Sequence, residues 1–132
     1  MRQPASSAAS GSKRPVKQNP EGSNIALDQL SRQLGITLKE LAPLLQISES
    51  TLHRFRRQTT IGGPTLERVE LLQGIIHHGL RVYSGNEQAF QDWLRYPLGE
   101  LDGRTPLDCL ATIAGFTQVD DILGRIEHGI FF

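Results

Sequence analysis

The chain has 132 residues, 38% of them hydrophobic and 21% charged, which suits one compact domain or two small ones. It has no apolar run near the roughly 18–20 residues that span a bilayer, and its start, MRQPASSAASGSKRP, lacks the apolar core of a signal peptide. Net charge is zero but unevenly placed: residues 1–63 hold nine Lys/Arg against four Asp/Glu, and residues 64–132 hold five against ten.

Such a division suits a polyanion as partner of the first half and a protein with a basic face as partner of the second. The single cysteine, Cys109, excludes an internal disulfide. A reducing, cytoplasmic setting is expected.

Residues 1–22 are rich in Ser, Ala, Pro and Gly, with Lys13, Arg14 and Lys17 among them. They have almost nothing to bury, and a disordered basic tail is expected. From Asn24 the pattern turns helical: Ile25, Leu27, Leu30 and Leu34 form one apolar stripe, and Gly35 is a plausible stop. Thr37 and Glu40 carry the spacing of a capping box. The helix after them contains Pro43, so it is expected to be short or bent. Ser48 suits the cap of a third helix, Glu49 to about Arg57.

The loop TTIGGP leads to a long helix from Pro64 or Thr65 to about Val82, with Leu66, Val69, Leu72, Ile76, Leu80 and Tyr83 at three- and four-residue steps. The triplet SGN ends it and caps a helix carrying Phe90, Trp93 and Leu94. A turn at LDGR precedes a short helix through Leu110 that starts at Thr105-Pro106. The last helix runs from about Ala114 to His128, and Gly129 stands where a left-handed cap belongs. No segment alternates with period two long enough for a strand, so the chain is expected to be all-α.

The stretch LKELAPLLQISESTLHRFRR has the pattern of a helix-turn-helix. Leu41, Ala42, Leu45, Ile47, Leu52 and Phe55 supply the apolar and small positions that two short crossed helices need. The second helix would offer Ser48, Ser50, Thr51, His53, Arg54, Arg56 and Arg57 to DNA. Its N-terminal end belongs in the major groove. Arg54 or Arg57 can reach guanine O6/N7, while Ser48, Ser50 and Arg56 suit phosphates. One position departs from the pattern: the turn favours glycine and holds Gln46, at a cost of about 1 kcal/mol.

Downstream, the order Trp93-Leu94, Pro97, Leu101, Gly103, Pro106-Leu107, Gly115, Val119 and Leu123 ends in Gly124-Arg125-Ile126-Glu127-His128-Gly129. This half resembles the toxin-binding domain of Xre/MbcA/ParS antitoxins, and with the helix-turn-helix the resemblance covers about residues 26–132. The resemblance implies a fold with an N-terminal helix-turn-helix domain, residues 23–62, followed by a small helical toxin-binding domain, residues 63–132. It implies a RES-domain toxin as partner, one that consumes NAD or ADP-ribosylates a target. It further implies a second partner in the promoter DNA of the operon, repression of the protein's own synthesis, and a homodimer within a larger complex. The toxin contacts expected on this basis are Arg125, Glu127, His128, Gly129, Ile130, Phe131 and Phe132, with Phe131 and Phe132 as apolar anchors.

Catalysis is not expected, and neither is a cofactor or metal. Of His53, His77, His78 and His128, the adjacent His77 and His78 point to different helix faces, and no Gly-rich phosphate loop or nucleophile elbow occurs. The rival reading is a free-standing helix-turn-helix regulator whose acidic domain serves dimerisation.

Overall fold

The computed structural model describes residues 20–58 and 60–129, with side chains from Ala26 onward. Among them are seven α-helices and one 3-10 turn, with no strand. The helices are α1 Pro20–Leu34, α2 Leu38–Leu44, α3 Glu49–Arg56, α4 Gly63–Val82, α5 Glu87–Leu94, α6 Pro106–Cys109 and α7 Ile113–Glu127, with the 3-10 turn Gly99–Leu101 before α6. The all-α expectation holds. The tail before Pro20, the Ile25 side chain, Thr59 and the terminal Ile130, Phe131 and Phe132 lie outside the described residues. α1 starts four residues before Asn24, and its first three residues fall in the stretch expected to be disordered. Proline is well suited to that place, because its fixed φ fits a first helical turn.

Local chemistry sets most helix ends. Thr37 accepts from the Glu40 amide at 3.1 Å, and Glu40 accepts from the Thr37 amide at 2.9 Å. That backbone bond is the main reason the Glu40 carboxyl is lowered from its ordinary value. Ser48, Asn86, Thr105 and Thr112 each cap the helix that follows with a side-chain oxygen. Each such cap contributes about 1 kcal/mol. Pro43 lies exposed in α2, which ends one residue later at Leu44. Gly129 takes φ +70 and closes α7 as expected.

The helices share one core. The stripe Leu27, Leu30 and Leu34 of α1 is buried, as are Leu41, Ala42 and Leu45 of the α2 segment and Leu52 of α3. α4 adds Val69, Leu72, Ile75 and Ile76, α5 adds Phe90 and Leu94, and α7 adds Phe116, Val119, Ile122 and Leu123. These residues form a single continuous cluster, with Ile47, Phe55, Trp93 and Leu107 partly buried against it. α4 packs against α1 of the helix-turn-helix half and against α5 and α7 of the other half. Each fully buried large aliphatic or aromatic side chain contributes about 1.5–3 kcal/mol.

Two glycines are required by close approaches. A Cβ at Gly79 of α4 would meet the Phe90 ring at 2.1 Å, and one at Gly115 of α7 would meet the Cys109 carbonyl oxygen at 1.6 Å. A third backbone feature lies in the helix-turn-helix turn. Gln46 has φ +62, the left-handed conformation in which glycine is unstrained.

Gly115→Ala is expected to destabilise the fold by about 3 kcal/mol or more, because a backbone carbonyl cannot rotate out of the way. Gly124→Ala, with nothing within 4 Å of its Cβ, is expected to gain up to about 1 kcal/mol from helix propensity. Urea denaturation of the two variants checks this. Equal midpoints would show that α6 and α7 do not approach as closely as described.

Candidate functional site

α3 has two faces. Leu52 is fully buried, Phe55 and Arg56 are half-buried, and these three follow i, i+3, i+4 spacing. Ser50, Arg54 and Arg57 follow i, i+4, i+7 and are exposed. His53 is half-buried, 3.8 Å from Glu49. The Arg54 guanidinium lies over the Phe55 ring at 5.5 Å from its centroid, which keeps its long side chain extended along the helix surface. Arg57 is the C-cap of α3, its amide bonded to the Arg54 carbonyl at 3.0 Å. Ser50, Arg54 and Arg57 therefore present one hydroxyl and two cations in a row to solvent.

Three other residues expected to face DNA are engaged within the protein. Arg56 donates from Nε and Nη2 to the two carboxylate oxygens of Asp28, at 3.0 and 3.1 Å. This forked pair ties α3 to α1. Ser48 accepts from the Thr51 amide at 3.1 Å and donates to the Thr51 hydroxyl at 2.9 Å. The position of Arg56, four residues after Leu52, is the signal that places it on the inward stripe.

The C-terminal end is held by a chain of charges between α4 and α7. Arg81 donates from Nε to Glu127 at 2.7 Å. His78 sets one ring nitrogen 3.1 Å from Glu127 and the other 2.7 Å from Asp120. Arg125 donates to Glu100 at 2.8 Å, which holds the 3-10 turn against α7. Of the residues expected to touch a partner here, Arg125 and Glu127 make these internal bonds, and His128 is exposed at the helix end. A shallow depression between α4 and α7 is lined by His78, Arg81, Asp120, Asp121, Arg125 and Glu127. Sequence reasoning missed the roles of His78 and Arg81, although their i, i+3 spacing puts them on one side of α4.

Elsewhere, Cys109 is 2% exposed, and burial pushes its thiol up from the ordinary range. It serves as a small core residue, as its neighbours Leu107 and Leu110 suggest. Among the described residues no group of three or more His, Cys, Asp or Glu is placed to hold a metal ion, and no helix is long and apolar enough to cross a membrane.

Two family models match in series. Residues 15–74 match the antitoxin Xre-like helix-turn-helix domain, and residues 79–129 match the antitoxin Xre/MbcA/ParS C-terminal toxin-binding domain. Each half of the chain is thus similar to a domain of the Xre/MbcA/ParS antitoxins. Antitoxin Xre of Photorhabdus laumondii is 30% identical over 64 residues, 48% of this chain and 43% of the relative. Antitoxin Xre of Yersinia enterocolitica is 29% identical over 65 residues, 49% of this chain and 44% of the relative. The matched stretch thus spans less than half the length of these curated relatives. The α3 face lies within the Xre-like match, and the Glu127 clamp lies within the Xre/MbcA/ParS C-terminal match.

The clamp has a pH signature. The hydrogen bond from Arg81, then that from His78, lowers the Glu127 carboxyl from 4.5 to about 2. The ionised group therefore contributes its stabilisation in full above pH 4.5, and the contribution fades as pH falls toward about 2. Glu127→Gln is expected to lower the urea midpoint at neutral pH, with the gap from wild type closing below pH 4.5. A gap that stays constant with pH contradicts the clamp.

Proposed function

We propose that this protein is the antitoxin of a type II toxin–antitoxin pair. Its C-terminal domain binds and neutralises a RES-domain toxin that consumes NAD or ADP-ribosylates a target. Its helix-turn-helix binds the promoter of its own operon and represses it, and the protein acts in the cytoplasm. The observation that carries this reading is the serial match of an Xre-like helix-turn-helix and an Xre/MbcA/ParS toxin-binding domain.

Physical features support each half. The row Ser50, Arg54 and Arg57 suits the major groove, with the arginines as guanine readers or phosphate contacts. Thr51, His53, Ser48 and Arg56 complete the assigned DNA side, the last two by holding α3 in place. Exposed Asp102, Asp120 and Asp121 give the other half an acidic surface, which steers it toward the electropositive pocket that a toxin acting on a dinucleotide needs. The toxin contacts are assigned to Arg125, Glu127, His128 and Gly129 and to Ile130, Phe131 and Phe132 beyond them. The homodimer is assigned to the groove between α4 and α7, where Leu71 is exposed at 38% beside Gly74 and Phe116. That assignment also fits a free-standing regulator, so only the toxin separates the two readings.

Co-expression with the RES-domain toxin provides the test, and two variants divide the halves. Arg54→Ala with Arg57→Ala is expected to abolish promoter binding in a gel shift and to leave rescue intact. Removal of Ile130, Phe131 and Phe132 is expected to weaken neutralisation by more than about tenfold while promoter binding persists. Cell death in the presence of soluble wild-type protein would overturn the antitoxin reading.

A further inference from the structure

Three side chains tie the segments that flank α2 to the second half of the chain. Gln46, in the turn after α2, donates from Nε2 to the Ala111 carbonyl at 2.7 Å. Ala111 lies in the connection between α6 and α7, and its carbonyl also accepts from Arg68 of α4 at 3.3 Å. At the C-terminal end of α1, just before the turn into α2, Gln91 of α5 donates from Nε2 to the Arg32 and Gln33 carbonyls, at 3.1 Å each. Arg95, just after α5, donates to the Gly35 carbonyl at 3.0 Å and lies 3.6 Å from Glu40.

The backbone on both sides is shaped for these ties. A Cβ at Gly35 would come within 2.7 Å of Gln91 Oε1, so the glycine leaves room for Gln91 over the turn. Gln46 keeps a left-handed φ of +62 although glycine would hold that conformation without strain. Its side chain is the part that glycine lacks, and that part reaches the other half of the protein. α2 and the turn at Gln46 in turn set where α3 begins, since Ser48 caps α3 two residues later.

We infer that Gln46, Gln91 and Arg95 are positioning residues for the DNA-reading helix, through which the C-terminal half fixes the pose of α2 and α3. The inference rests on the proposed DNA binding of α3. None of the three touches DNA; they raise the fraction of molecules in which α3 is set for the groove, and affinity scales with that fraction. A tie of ordinary hydrogen-bond strength then corresponds to a change of about fivefold in apparent affinity.

Gln46→Gly separates this role from a merely structural one, because it removes the tie and relieves the backbone strain at once. The variant is expected to keep the thermal midpoint of the wild type or exceed it, and to bind operator DNA about fivefold more weakly. Gln46→Asn also tolerates the left-handed backbone but is one methylene too short to reach Ala111. It is expected to show the same loss, with faster amide hydrogen exchange in α3. Operator binding by Gln46→Gly as tight as that of wild type would overturn the inference. If the wild-type protein binds no operator, the DNA-reading proposal fails by itself, and exchange in Gln46→Asn decides the positioning role: faster exchange in α3 supports it, unchanged exchange overturns it.

Discussion

α4 is the constraint on which the rest of the molecule depends. Its buried Val69, Leu72, Ile75, Ile76 and Gly79 recur at three- and four-residue steps and form one stripe along its length, and such a stripe must be covered by neighbours from end to end. α1, α5 and α7 all pack against it. The helix-turn-helix and the C-terminal domain therefore do not hold separate cores joined by a linker. They close over a common helix, and Phe90 seated against Gly79 shows how tightly the second half is fitted to it.

With the apolar faces committed to that core, the polar faces are left for recognition. On α3 the inward stripe consists of Leu52, Phe55 and Arg56, and the outward row consists of Ser50, Arg54 and Arg57. On α7 the inward set is Phe116, Val119, Ile122 and Leu123, and the charged residues around them meet α4 through Glu127 and Asp120. The two surfaces proposed for recognition differ in electrostatic character. The basic row on α3 stands largely free, whereas Arg125 and Glu127 at the C-terminal end are already held by partners within the protein. In the proposed complex, a toxin at that end meets side chains fixed in advance, which lowers the ordering cost of binding.

How much of this could be read from the sequence follows from the range of each interaction. The capping box at Thr37 and Glu40, the Ser48 cap and the closing Gly129 involve residues three or four apart, and all are legible. The apolar stripes of α1, α4 and α7 are legible for the same reason, since helical periodicity is local. The start of α1 at Pro20 is not, because the surrounding Ser and Gly residues mask a proline suited to a first turn. Arg56 reads as a phosphate contact, and its fork to Asp28, 28 residues earlier, leaves no trace in the local sequence. Gln46 reads as a defect in the turn, and only the contact with Ala111, 65 residues later, supplies a reason for its side chain. The links from His78 to Asp120 and Glu127 span 42 and 49 residues and leave no local trace.

Scanning calorimetry of the full chain tests the shared core most directly. If α4 joins both halves into one unit, the protein unfolds in a single transition whose calorimetric enthalpy equals its van't Hoff enthalpy. Two resolved transitions, or a calorimetric enthalpy well above the van't Hoff value, would contradict it and leave the halves as independent domains.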